Sequence, residues 1–217
     1  MIANRITLIL GRKGSGKSYY AGSVMEELIA STGKGFFIAD YGSEHLGLVY
    51  AHPGAALVPV KREALGRIKW GELVRKYHGI VAFPYKISNE DFSAEMDKAM
   101  HAIMDVENRI LLVEEVHNLA PLTGIMPGFA RIVNEGRKYR IDLIACSLRP
   151  ANIHKSLIAQ ADEYVLFQVT EPNALDYLQR AGLPVRELPL LAPRVGLRYV
   201  PGFAPEYVRA RSRRFPH

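Results

Sequence analysis

An α/β fold, with a mainly parallel central sheet flanked by helices on both faces, is what this sequence predicts, and three observations carry the prediction. Apolar runs of strand length recur, among them Ile6-Thr7-Leu8-Ile9-Leu10, Phe36-Phe37-Ile38-Ala39 and Ile110-Leu111-Leu112-Val113, without the in-out alternation of a half-exposed strand. Stretches of helical composition separate them, so successive strands are joined by crossovers and run parallel. A glycine-rich stretch, Gly11 to Ser18 (GRKGSGKS), connects the first apolar run to the first helical stretch.

That stretch has the spacing and the strand-to-helix context of a phosphate-binding loop. Gly11, Gly14 and Gly16 let the backbone bend and turn its N–H groups inward. Those of Arg12, Lys13 and Ser15 are included, and the following helix offers its positive end to an anion. Lys17 then reaches the β- and γ-phosphates of a nucleotide, Ser18 offers a hydroxyl to Mg²⁺, and Tyr19 continues into the helix beside the bound group. The expected cofactors are therefore ATP and Mg²⁺.

The chain has 217 residues, enough for one sizeable α/β domain and too few for two large ones. Its 48% apolar and 23% charged residues are ordinary for a soluble globular protein. Apolar runs fall well short of the roughly 18 residues of a membrane span, and Met1 to Leu10 lacks a signal-peptide layout, so an intracellular protein is expected. The single cysteine, Cys146, has apolar neighbours and reads as a small buried residue. A net charge of +6 suits a polyanionic partner without requiring one.

Taken in order, a strand at Ile6–Leu10 is followed by a helix over Tyr19 to Ala30. A second strand, Phe36 to Asp40, ends in an acid. Asp40 and Glu44 are placed either to face the nucleotide or a neighbouring subunit, or to serve as solvated turn acids. Tyr41 to Pro59 reads as loop leading into a short strand near Leu57 to Val60. A helix over Trp70 to Tyr77 and a strand at Gly79 to Phe83 come next. Ser88 is the expected N-cap of a long helix reaching Val106, whose stripe Phe92, Met96, Ala99, Ile103 and Met104 belongs to the core. Then come a strand Arg109 to Val113, a loop Pro121 to Gly128, and a helix Phe129 to Lys138. A strand Ile141 to Cys146, a helix Ile153 to Gln160, a strand Glu163 to Val169 and a helix Asn173 to Ala181 complete a core of residues 1–183. Residues 184–217 are rich in proline and arginine and read as an extended arm on the core or on a neighbour. Its basic end, with Arg209, Arg211, Arg213 and Arg214, is either solvated or in contact with DNA.

A hydrolytic phosphate site needs an acidic strand end beside the loop. Glu114 and Glu115 supply it, and strand alternation gives them different faces. Glu114 is assigned to the magnesium shell, directly or through bound water, and Glu115 to the attacking water as general base. Charge developing on the γ-phosphate calls for an arginine, and Glu135 to Arg140 offers several candidates among which spacing alone does not choose.

Six blocks in fixed order carry a resemblance. Gly11 to Ser18, Glu114-Glu115-Val116-His117-Asn118, Glu135-Gly136-Arg137-Lys138-Tyr139, Ser147-Leu148-Arg149-Pro150, Ile153-His154 and Gln160-Ala161-Asp162 together resemble the FtsK/HerA superfamily of P-loop ATPases. The resemblance spans Ile6 to Leu178 and points to the short single-domain branch that packages viral genomes, without the N-terminal barrel or membrane helices of longer members. It implies a RecA-like P-loop NTPase fold and an ATP-driven translocase acting on double-stranded DNA without sequence reading. The implied assembly is a homo-oligomeric ring, typically a hexamer, in the host cytoplasm or on the virion, with capsid vertex proteins as partners. It implies Arg137 as a trans-acting arginine finger with Arg140 in reserve, and a role for Arg149 at a neighbour's phosphates or in bracing the loop. The family's sensor glutamine is replaced by Leu148, which leaves Ser147 as its substitute or the sensor absent. Lys61, Arg62, Arg67, Lys69 and the arginine-rich end are the candidate DNA contacts. The competing reading is a P-loop assembly or secretion NTPase, or a small-molecule phosphotransferase, that never meets DNA.

Overall fold

The computed structural model describes residues 4–210. Its first half runs β1 (Ile6–Leu10), α1 (Lys17–Thr32), β2 (Gly35–Ala39), α2 (Leu48–Ala51), β3 (Ala55–Val60), α3 (Trp70–Lys76), β4 (Gly79–Pro84), α4 (Asn89–Val106) and β5 (Arg109–Val113). The second half runs α5 (Pro127–Glu135), β6 (Asp142–Ser147), α6 (Lys155–Gln160), β7 (Glu163–Leu166), α7 (Pro172–Arg180), β8 (Val195–Tyr199) and β9 (Glu206–Arg209). The strands form one sheet in the order β3-β4-β2-β5-β6-β1-β7-β8-β9. Strands β1 to β7 pair in parallel, whereas β7-β8 and β8-β9 are antiparallel. The α/β architecture with a mainly parallel, helix-flanked sheet is thus the one the sequence predicts.

Both faces of the inner strands are buried, which is why their sequences lack alternation. Leu8, Leu10, Phe37, Leu111, Val113 and Leu143 belong to the larger core, with Trp70, Phe92, Met96 and Phe129 from the helices. Ile9, Phe36, Ile38, Ile110, Leu112 and Ile144 belong to the other, packed with Ala21, Met25 and Ile29 of α1. Phe37 meets the Trp70 ring edge-on at 5.7 Å between centroids. The expected stripe of α4 is buried throughout, and Ser88 Oγ accepts a hydrogen bond from Asp91 N at 3.0 Å, which caps that helix. Cys146 is fully buried, and burial pushes its thiol well up from its ordinary value.

Several elements differ from the sequence reading. The loop after β2 contains the single-turn α2, and β3 starts at Ala55, two residues before the expected Leu57. Helix α5 stops at Glu135, and Gly136–Tyr139 tightens into a 3-10 turn that ends at Arg140 with φ 56°. Residues 195–199 and 206–209 of the expected arm are strands that extend the sheet. Pro193, Pro201 and Pro205 lie just outside them, where a missing N–H does no harm to the ladder. Arg198 ties this addition to the core, bonding Glu163 of β7 through Nε at 2.6 Å and pairing across the hairpin with Glu206. The far basic end, with Arg211, Arg213 and Arg214, lies outside the described residues.

Phe37→Ala removes a fully buried ring from the middle of β2 and should cost about 3–5 kcal/mol in urea unfolding. Lys69→Ala loses only an exposed pair with Glu72 and should change stability by less than about 0.5 kcal/mol.

Candidate nucleotide-binding site

The carboxyl ends of β1, β2, β5, β6 and β7 open on one edge of the sheet, and the chain from Gly11 to Tyr19 lies across it. Gly11 approaches β7 so closely that a Cβ on it would stand 2.7 Å from Phe167 Cβ. Gly16, the N-cap of α1, has φ 106°, a conformation costly to any residue with a side chain. The loop is held from outside: Gly11 N donates to Ser147 O at 3.3 Å and Arg12 N to Gln168 O at 2.8 Å, while Ser15 O accepts from Arg194 N at 2.9 Å. Arg12, Lys13 and Gly14 are exposed, and Ser18 and Tyr19 are half-buried. Lys17 is buried, its Nζ donating to Arg12 O at 3.1 Å across the loop.

The two glutamates after β5 diverge. Glu114 turns into the protein, where its Oε1 lies 2.7 Å from His45 Nε2 and both side chains are buried. The backbone N–H groups of Glu44 and His45 donate to the Asp40 carboxylate at 2.9 and 2.8 Å. Asp40 is fully buried, and burial raises its pKa. It therefore closes the turn after β2 instead of facing the nucleotide or solvent, which corrects both readings of that acid.

Glu115 takes a left-handed backbone, φ 47°, and turns toward β6. Leu148 N approaches its Oε2 at 3.5 Å and His117 Nδ1 at 3.3 Å. Burial raises the Glu115 pKa, opposed by the Leu148 N–H and by the positive charge of Lys17. His117 Nδ1 also lies 3.0 Å from Ser147 Oγ, and that hydroxyl accepts from Arg149 N at 3.0 Å. Burial, and then the charge of Arg149, lower the His117 pKa to about 4. The imidazole is neutral at pH 7, so its approach to Glu115 is not an ion pair. Ser147 thus connects to Glu115 through His117.

The arginines fall on opposite edges. Arg149 follows β6 and is exposed on the same edge as the loop. Arg137 and Arg140 precede β6 and lie on the other edge, where Arg137 pairs with Asp162 and the Arg140 carbonyl accepts from Lys34 Nζ at 2.9 Å. The structure therefore gathers Gly11 to Tyr19, Glu114, Glu115 and Arg149, and leaves Arg137 and Arg140 outside that gathering. His45, His117 and Arg194 were not read from the sequence as site residues. His117 stands inside the acid block and was within reach of that reasoning, but nothing local marks His45 or Arg194.

The residues present fit a polyphosphate. Ser15 Oγ is buried with no hydrogen-bond partner among the described residues, and Gly14 has open space where a Cβ would lie. Among the described residues no group of three or more His, Cys, Asp or Glu side chains could hold a metal by itself. Ser18 and Glu114 are the side chains that would hold Mg²⁺ together with phosphate oxygens, where it would neutralise charge on the β- and γ-phosphates.

A phosphate-type loop on β1, an acid-ended strand β5 separated from it by β6, and a mainly parallel sheet covered on both faces define a RecA-like P-loop NTPase. Comparison with known proteins narrows the class. No family profile matches the chain. A probable DNA double-strand break repair helicase HerA of Methanocaldococcus jannaschii is 31% identical over 75 residues, 33% of this chain and 15% of the helicase. The match therefore spans only a small part of that relative's length. The genome packaging NTPase B204 of Sulfolobus turreted icosahedral virus 2, solved with ATP-gammaS, superposes with a TM-score of 0.74 at 18% identity, covering 96% of this chain and 98% of that one. The bacterial conjugative coupling protein TrwBdeltaN70 gives 0.72 at 10% identity, covering 99% and 86%. At these identities the solved structures establish the fold. The HerA similarity over 75 residues agrees with the FtsK/HerA resemblance of the motifs.

Among the described residues no helix is long and apolar enough to cross a membrane. His45→Ala leaves the Glu114 carboxylate buried without its imidazole and should cost about 3 kcal/mol, read by chemical denaturation.

Proposed function

We propose that this chain hydrolyses ATP and uses the energy to drive double-stranded DNA through a ring of identical subunits, as the packaging motor of a viral genome. The observation that carries the reading is the division of its charged set across the sheet. Lys17, Ser18 and Glu115 stand at the carboxyl edge, and Arg137 and Arg140 at the amino edge. A nucleotide on Gly11 to Ser18 is out of reach of Arg137 of the same chain, so Arg137 acts as a finger only from a second copy, while the chain's own Arg149 stands on the loop's edge. An interface that joins one edge of a subunit to the opposite edge of the next is head-to-tail, the kind that forms a ring when the rotation between successive subunits closes. The FtsK/HerA resemblance favours six subunits, with capsid vertex proteins as further partners, in the host cytoplasm or on the virion.

In this reading the N–H groups of Lys13, Gly14, Gly16, Lys17 and Ser18 and the Lys17 ammonium hold the phosphates in place, since those of Gly11, Arg12 and Ser15, which the sequence reading also turned inward, are bonded to Ser147, Gln168 and Arg12 carbonyls. Glu115 takes a proton from the attacking water as its oxygen bonds the γ-phosphorus, and the bond to the β-phosphate oxygen breaks with its electron pair leaving on ADP. His117, held by Ser147, fixes the Glu115 carboxylate and connects it to Arg149 at the end of β6. DNA is gripped through phosphates. Lys61, Arg62, Arg67 and Lys69 are exposed beyond β3, and the ammonium groups of Lys61 and Lys86 lie 5.4 and 5.5 Å from the Tyr85 ring centre.

ATP turnover should rise on adding double-stranded DNA, and the rise should fade between about 50 and 200 mM salt as counterions compete for the phosphates. Lys17→Ala should be inert. Turnover indifferent to DNA at every salt favours an assembly or secretion NTPase. The acidic limb of the rate profile should lie above the ordinary glutamate range, because the base must be ionised and burial raises its pKa; Glu115→Gln should abolish turnover while retaining ATP.

Arg137→Ala should lower turnover of the assembled ring by about 10³-fold, and mixing it with Lys17→Ala subunits should restore part of the activity at shared interfaces. Full turnover by Arg137→Ala rings would remove the finger assignment.

A further inference from the structure

The C-terminal hairpin does more at the phosphate loop than extend the sheet. Arg194, immediately before β8, has φ 63°, donates its N–H to Ser15 O at 2.9 Å and accepts at its carbonyl from Ala210 N at 3.0 Å. It is therefore pinned on one side to the loop and on the other to the residue after β9. A Cβ on Gly16 would come within 3.1 Å of Arg194 Cα, so loop and hairpin are in full contact there. The Arg194 guanidinium lies over the Tyr19 ring at 4.9 Å from its centre. Tyr19 is half-buried beneath it, and Arg194 is exposed, which leaves the outer side of the guanidinium open to solvent.

The direction in which a nucleotide lies across the loop follows from the sheet order. Strand β1 stands between β6 and β7, and Glu115 follows β5 on the far side of β6. If the γ-phosphate is presented to Glu115, the nucleoside leaves toward β7 and β8, the side on which Arg194 and Tyr19 sit.

We propose that the Arg194–Tyr19 stack is the seat of the nucleotide's base. The site would take a purine nucleoside triphosphate, with the ring lying flat on the outer face of the Arg194 guanidinium and Tyr19 supporting that plane from below. Guanidinium planes and aromatic rings both stack on bases. Stacking reads the face of a base and not its hydrogen-bonding edge, so adenine and guanine are accepted alike and the smaller pyrimidines less well. The seat also makes the hairpin responsive to the bound nucleotide, since Arg194 and Ala210 share a hydrogen bond across it.

This inference rests on nucleotide binding at Gly11 to Ser18, and the test separates the two. Affinities are measured by calorimetry for ATP, GTP, CTP and inorganic tripolyphosphate, which has the phosphates without a base. The wild type should bind ATP and GTP within about threefold of each other and tripolyphosphate about tenfold more weakly. Arg194→Asn tolerates the left-handed backbone but removes the plane, and Arg194→Lys keeps the charge without the plane. Both should lose about tenfold for ATP and GTP and nothing for tripolyphosphate. Equal losses for ATP and tripolyphosphate would mean that Arg194 only braces the loop. Unchanged ATP affinity in both variants would place the base elsewhere, and either result overturns the seat. A wild type that binds neither ATP nor tripolyphosphate would overturn the nucleotide reading itself, and the seat with it.

Discussion

The tip of β1 is held by backbone hydrogen bonds from three other strands' ends, and the site depends on that restraint. Gly11 is tied to Ser147 at the end of β6, Arg12 to Gln168 beyond β7, and Ser15 to Arg194 before β8. A loop of inward N–H groups repels itself electrostatically unless an anion is present, so without outside partners it would relax into some other turn. The carbonyls of Ser147 and Gln168 satisfy its outer N–H groups, and the bare Cα of Gly11 lets Phe167 fit beneath it. Binding energy is then not consumed in ordering the loop.

The same edge stores buried charge. Asp40, His45 and Glu114 form a chain in which backbone N–H groups satisfy one carboxylate and an imidazole satisfies the other. In a low-dielectric interior such groups are costly alone and firm when fully partnered. This holds the end of β5 in a fixed relation to β2, and Glu114 N reinforces it by donating to Ala39 O at 3.0 Å. Glu115 is turned by its left-handed backbone toward the end of β6. Its position is set by groups from β6 and its own turn, so the two strands flanking the site control one carboxylate.

The opposite edge of the sheet is equally charged but differently arranged. Arg5 and Arg198 share Glu163, Arg137 meets Asp162, and Lys34 is buried against Asp142 at 2.7 Å. Together with Phe203 these arginines line a cavity of about 960 Å³. The Arg137 pair is exposed, so it contributes little to stability and gives way easily to a stronger anion.

The sequence alone determined the parts that depend on local rules. Glycine spacing between an apolar run and a helix fixed the loop, unalternating apolar runs fixed the parallel sheet, and Ser88 fixed the start of α4, because each is a property of neighbouring residues. The Glu114-Glu115 pair was legible as a strand end, but its divergence comes from the turn after β5, where Glu115 takes a left-handed backbone, and not from strand alternation. What the sequence could not decide were encounters between distant segments. That Asp40 closes a turn, that His45 takes Glu114, and that Arg194 crosses to Ser15 from far along the chain leave no periodic signal, since any residue brought there by the fold could serve. The proline-rich arm was unreadable as β8 and β9 for the same reason: its prolines mark strand ends only once β7 supplies an edge to pair with. Local chemistry set the loop and the strands, and only the assembled sheet decided which side chains stand around them.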